Sequence, residues 1–270
     1  MLVSEYVTQL GFHTVQPNTP TGDLWWGASF EEMTQFELAN LRLPVTDTTL
    51  ERLQGLQNIP RMSTLANAAI INYGVSCLAD DACYLNVGVW QGFSFIAGML
   101  GNPGKSCIGV DNFSMWDRDP SGQPAEQSFR ARFDQLKSPR HQFWKMDYAE
   151  YLQHVHTQPI GFYFYDGDHS YMNQLQGLRL AEPFFTDDCI IVVDDTNWPA
   201  PRNATLDFIA NSTHQYQILL DRRTVEEGGH PTFWNGIIVF QRTGVVCPPS
   251  QASSVSQAAN HLATHHSTTN

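Results

Sequence analysis

Two short stretches of the chain concentrate acids: Tyr165-Asp166-Gly167-Asp168-His169-Ser170-Tyr171 and Val193-Asp194-Asp195-Thr196. If each closes one of two neighbouring parallel strands, Asp166, Asp194 and Asp195 converge at one edge of a sheet. Three carboxylates so placed repel one another unless they share a cation or a proton. Oxygen-only ligands favour a hard ion, Mg²⁺ or else Mn²⁺ or Ca²⁺, over zinc. Asp168 is set apart as a turn or helix cap. His169 lies in the loop leading to a helix, and a histidine titrates near neutrality, so it can take a proton from a metal-held hydroxyl. The competing role for His169 is to cap the helix or support the ligands from behind.

A third stretch, Asn86-Val87-Gly88-Val89-Trp90-Gln91-Gly92-Phe93-Ser94, sits where a strand gives way to a helix. Gly88 and Gly92 allow a tight turn and a close approach to backbone, and the helix behind them opens with free N–H groups. The dinucleotide fingerprint G-x-G-x-x-G is absent and a bulky Trp90 fills its centre, which points to a nucleoside without a pyrophosphate. About 20 residues on, Asp111 ends the next strand, where an acid accepts ribose hydroxyls. Asp147 ends the strand after that, on the adenine side. Asn86, Gly88, Gln91, Gly92, Asp111 and Asp147 are therefore the expected nucleoside-binding set. No G-x-S-x-G motif suggests a hydrolase, and no G-x-x-x-x-G-K-S/T motif suggests nucleotide hydrolysis.

The elements that must hold these residues are legible as short apolar runs alternating with amphipathic ones. CYLNVGV, SCIGVD, QFWKMD, GFYFYDGD and CIIVVDD are rich in β-branched and aromatic residues and mostly end in Asp or Gly, as buried parallel strands do. Phe129, Phe133 and Leu136, and again Tyr171, Leu175 and Leu178, recur at i, i+4 and i+7 and predict helices with one apolar face. Strand and helix in alternation predict a doubly wound α/β sheet. YQILLDRRT and WNGIIVFQRT, joined by a segment too short for a crossover helix, predict an antiparallel hairpin at the sheet edge. The expected fold is a Rossmann-like seven-stranded sheet with one reversed strand near the C-terminus. Residues 1–58 read as a helical or irregular N-terminal cap, 59–243 as the α/β domain and 244–270 as a disordered tail. Ser63 is the expected N-cap of the helix STLANAAIINYGVSCLA.

The motifs NVGVWQGFS, GVDNFS, YDGDHSY and IIVVDDT, in that order between Ile59 and Arg242, resemble the class I S-adenosylmethionine-dependent methyltransferases. Within them the chain is similar to the metal-dependent group that includes macrocin O-methyltransferase. The family usually carries an acid where this chain has Asn86, whose amide can still bond the methionine end. The resemblance implies S-adenosyl-L-methionine and Mg²⁺ (or Mn²⁺) as cofactors and His169 at the position of the base. It also implies an acceptor hydroxyl on a sugar or glycosylated natural product. A phenolic, catechol or amine acceptor is the first alternative, and a non-catalytic binding protein on the same fold the second. A nicotinamide-dependent oxidoreductase lacks its glycine fingerprint.

Bulk properties narrow the partners. A hydrophobic share of 42% with 12% aromatic residues belongs to a globular chain. The formal net charge of −12 argues against nucleic acid as a partner. No apolar run reaches the ~20 residues of a membrane helix, and the N-terminus does not read as a secretory signal, so a cytoplasmic location is expected. The five cysteines show no C-x-x-C spacing and read as small reduced hydrophobes. Trp198 is a candidate wall of the acceptor pocket or else a packing aromatic, and Trp25, Trp26, His230 and Trp234 are candidates for contact with substrate or with a second subunit in a homo-oligomer. His261, His265 and His266 in the tail could hold a stray metal.

Overall fold

A computed structural model describes residues 1–22, 24, 28–44, 49–115, 117–118 and 122–245. Trp25, Trp26, Cys247 and the tail with its three histidines lie outside the described residues. Seven strands form the main sheet: β1 (Cys83–Val87), β2 (Ser106–Val110), β3 (His141–Trp144), β4 (Ile160–Tyr165), β5 (Phe185–Asp194), β6 (His214–Arg222) and β7 (Ile237–Val245). Their spatial order is β3-β2-β1-β4-β5-β7-β6, with β7 antiparallel to both its neighbours and every other pairing parallel. The expected doubly wound sheet, its reversed strand and the terminal hairpin are all present.

Period-two alternation divides the strands between two cores. Tyr84, Phe162, Phe164, Ile190, Val192 and Val239 face one side, packed with helices Leu65–Ser76 (α1) and Phe93–Met99 (α2) and with Phe129 and Phe133 of Ala125–Leu136 (α3). Leu85, Val87, Tyr163, Tyr165, Ile191, Val193 and Phe240 face the other, packed with Tyr148–His154 (α4), Tyr171–Ala181 (α5) and Pro199–Asn211 (α6). Most strand residues are buried from both sides, which is why their sequences read as near-continuous apolar runs. Leu136 departs from the expected stripe: at the end of α3 it is exposed.

Three short helices, Val3–Gln9, Phe30–Asn40 and Thr49–Leu53, precede α1. They join the first core through Val7, Leu38 and Leu53. Ser63 is not the cap of α1. The helix begins at Leu65 after Thr64, and the free amide of Leu65 is met from outside the segment by Glu37 Oε2 at 2.7 Å. Ser63 Oγ instead accepts from Asn67 Nδ2 at 3.0 Å. Cys83, Cys107 and Cys189 are buried, Cys77 is exposed, and all four are unpaired. Among the described residues no helix is long and apolar enough to cross a membrane.

Candidate active site

The chain reverses its winding between β1 and β4, and the crevice there opens at the carboxyl ends of the strands, where open α/β sheets take ligands. It holds a cavity of about 780 Å³, within the ~300–1,000 Å³ of small-molecule sites. Gly88, at the end of β1, forms part of its wall with φ +83°. A Cβ there would fall 1.9 Å from the backbone oxygen of Asp166. Only glycine lets the ends of β1 and β4 meet this closely.

The expected nucleoside set divides. Gly88, Asp111 and Asp147 line the cavity. Asp111 also ties down the glycine loop: Oδ2 accepts from the amides of Val89 (2.7 Å) and Trp90 (2.8 Å), and Oδ1 from that of Phe113 (2.7 Å). A carboxylate has roughly four acceptor positions, so little of Asp111 is free for ribose hydroxyls. Asp147 Oδ1 caps α4 through Ala149 N at 2.8 Å. Asn86, Gln91 and Gly92 are not in the wall. The Asn86 amide donates to Gly88 O and accepts from Ser94 Oγ, both at 3.3 Å, so it knits the loop from behind. Gln91 Oε1 is turned to Arg132 Nη1 at 2.8 Å. Gly92 starts α2 at φ +92°, with space for a Cβ closed by the ring of Phe129.

At the ends of β4 and β5 the acids gather as the sequence suggested, with one exchange of members. Atoms of Asp166, His169 and Asp195 lie within 4.8 Å of one another. His169 Nε2 is 2.9 Å from Asp195 Oδ2 and 3.6 Å from Asp166 Oδ1, and its ring stands edge-on to Trp198. Asp194 is beneath the wall rather than in it. It is 1% exposed and accepts from Asp195 N at 3.0 Å and from Asn67 Nδ2 at 3.5 Å. Asp195 adopts φ +56°, which carries the chain away from the strand direction immediately after Asp194. Burial, and then the charges of Asp194, Asp195 and Asp111, push the Asp166 carboxyl well above the usual range. Burial and Asp195 do the same to Asp194. A cation between these groups would relieve both effects, so the donor set fits a hard divalent ion. Asp168, set apart as a cap, accepts from Ser170 N at 2.7 Å.

Residues 85–196 match the family profile described as a methyltransferase domain. This segment is a methyltransferase domain. No curated protein matches the chain by sequence. Among solved structures, cofactor-bound Rv0187 from MTB is 15% identical, with a TM-score of 0.52 over 73% of this chain and 88% of its own. The SAH-bound methyltransferase PaMTH1 from Podospora anserina is 11% identical, with a TM-score of 0.50 over the same shares. At such identities the likeness speaks for the fold of the methyltransferase domain and the elements that complete its sheet.

Other wall residues of the methyltransferase cavity escaped the sequence. Arg61, Met62, Met146, Tyr148 and Asn235 contribute from outside the motifs, and Phe93 and Phe113 from within NVGVWQGFS and GVDNFS without having been singled out. A better signal is conformational. Trp90, Phe113, Asp195 and Trp234 are the non-glycine residues with positive φ among the described residues, and all four line this cavity. Trp198 and Trp234 are in the wall as suspected. His230 is not: it is buried, with Nδ1 on Thr232 Oγ1 (2.7 Å) and Nε2 on Thr19 O (3.0 Å), a clamp between the N-terminal segment and the loop before β7.

Proposed function

We propose that this methyltransferase moves the methyl group of S-adenosylmethionine to a hydroxyl of a small polar acceptor, with Asp166 and Asp195 holding a divalent cation and His169 taking the proton. The observation that carries the proposal is the convergence of the two carboxylates and the imidazole on a cavity that also contains the glycine loop. When bound, S-adenosylmethionine supplies a methyl on a sulfonium, and the cation supplies a positive charge that holds and acidifies the acceptor hydroxyl. Gly88 and the amides fixed by Asp111 shape the donor end. Asp194, held by Asn67, adds negative charge behind the cation rather than a ligand in the cavity. His169 accepts the proton at the Nε2 edge that faces both carboxylates. Transfer would form the oxygen–methyl bond as the sulfur–methyl bond broke, and His169 would hold the proton given up by the acceptor hydroxyl.

A sugar hydroxyl is the first choice of acceptor. A phenolic hydroxyl is the second, supported by Trp90, Trp198 and Trp234 among the residues that line the cavity. The test is calorimetric titration of S-adenosylmethionine, with Mg²⁺ and with EDTA, followed by methyl-transfer assays on sugars and catechols. His169→Ala should retain donor affinity and lose ~10²- to 10⁴-fold in turnover. Near-normal turnover in that variant removes His169 as the base, and no donor binding by folded protein removes the whole proposal.

A further inference from the structure

Arg61 stands where the helices before α1 meet the cavity. Its side chain is fully buried, its residue belongs to the wall, and its guanidinium lies 5.0 Å over the ring of Phe93, another wall residue. A guanidinium carries five N–H donors and never loses its charge. Here only Nη2 is near a carboxylate, Glu37 Oε1 at 3.4 Å, while Nε and Nη1 have no hydrogen-bond partner among the described residues. Glu37 is a weak counter-ion. Burial pushes its carboxyl up to about 7, and its other oxygen is occupied by the amide of Leu65. A buried cation with most of its donors idle is costly unless something completes it.

The same wall contains Asn235, 1% exposed, with neither its amide nitrogen nor its oxygen partnered among the described residues. The Thr64 hydroxyl donates to Thr232 O at 2.6 Å, so the segment of Arg61 and the loop of Asn235 are fastened side by side. The β2 end of the cavity differs, since Asp111 is satisfied there by three amides.

We propose that Arg61, assisted by Asn235, binds the carboxylate of a ligand in this cavity. The planar fork of a guanidinium matches a carboxylate through two parallel N–H···O bonds. Two sources offer that group: the methionyl carboxylate of the donor, which rests on the function proposed above, or a carboxylate on the acceptor.

Two pairs of probes separate the sources in wild-type protein: S-adenosylmethionine against its decarboxylated analogue, and glucuronate against glucose. Whichever ligand engages Arg61 should bind at least about tenfold more tightly than its counterpart without the carboxylate. The double variant Arg61→Met, Glu37→Gln removes cation and counter-ion together while keeping an acceptor for Leu65 N, and in it the preference should disappear. Arg61→Lys, which keeps the charge without the fork, should retain only part of it. Equal binding within both pairs by the wild type, or a preference that survives in the double variant, overturns the proposal. If folded wild-type protein binds neither donor, the methyl-donor function fails, and the glucuronate–glucose pair alone decides Arg61.

Discussion

Glu37 gives the chain a pH-dependent liability whose size can be worked out. Its carboxyl is 2% exposed, and burial raises it from 4.5 to about 7 against the lowering effects of Arg61 and the Leu65 amide. Between those two values the folded protein keeps a proton that the unfolded chain has released. Unfolding therefore releases a proton across this window, and stability falls as pH rises, levelling off above the folded value. A shift of roughly 2.5 units at ~1.36 kcal/mol per unit is about 3 kcal/mol in all, most of it lost between about pH 5 and pH 8. Glu37→Gln keeps an oxygen for Leu65 N and cannot ionise. Whatever fixed cost the amide brings beside Arg61 is the same at every pH, so it cancels when the pH profiles are compared. Urea unfolding of both proteins at steps from about pH 5 to pH 8 should show the variant gaining about 2–3 kcal/mol relative to wild type. Parallel profiles would refute the reasoning, and with it the view that Glu37 is an incomplete counter-ion for Arg61.

Gly88→Ala, which places a Cβ 1.9 Å from Asp166 O at φ +83°, should cost about 3 kcal/mol or more and abolish donor binding, read by thermal melts and calorimetry. Asp195→Asn should erase the Mg²⁺-dependent rise in Tm, whereas Asp194→Asn, which removes a buried charge outside the cavity wall, should raise the stability of the metal-free protein at neutral pH. Melts with Mg²⁺ and with EDTA distinguish the two. Asn197→Ala breaks bonds to Thr224 N (3.0 Å), Thr224 O (3.0 Å), Thr224 Oγ1 (2.8 Å) and Glu226 O (2.9 Å). It should cost about 2–4 kcal/mol by urea unfolding and lower turnover through the Asp195 turn.

The sheet was legible because burial on both faces leaves a direct mark on composition, and strand ends carrying Asp or Gly mark the edge where ligands bind. The cluster at β4 and β5 was legible for the same reason. What escaped was the division of labour within a motif. Nothing in the spacing of Asp194 and Asp195 says which one faces the cavity, because a single positive φ at Asp195 decides it. Nor does the glycine loop reveal that Asn86 and Gln91 brace it from behind, since a buried amide and a ligand-facing one look alike in sequence. The cap of α1 was misplaced because its acceptor comes from Glu37, 28 residues earlier.

These departures share a location. Left-handed backbone at Trp90, Phe113, Asp195 and Trp234 costs free energy that folding alone does not repay. The same holds for carboxyls crowded at Asp166 and Asp194 and for donors left idle on Arg61 and Asn235. All but Asp194 belong to the wall of one cavity, and Asp194 lies directly behind it. A protein relaxes such costs wherever mutation can do so without loss, and local rules broken together in one place mark a site kept for its ligands. The broken rules also differ in sign across the cavity. Crowded negative charge at Asp166 and Asp195 asks for a cation, and an undersupplied guanidinium at Arg61 asks for an anion. Under the proposed function, a donor carboxylate beside a metal-held hydroxyl would answer both demands at once, so the metal and carboxylate experiments are best run on the same preparation.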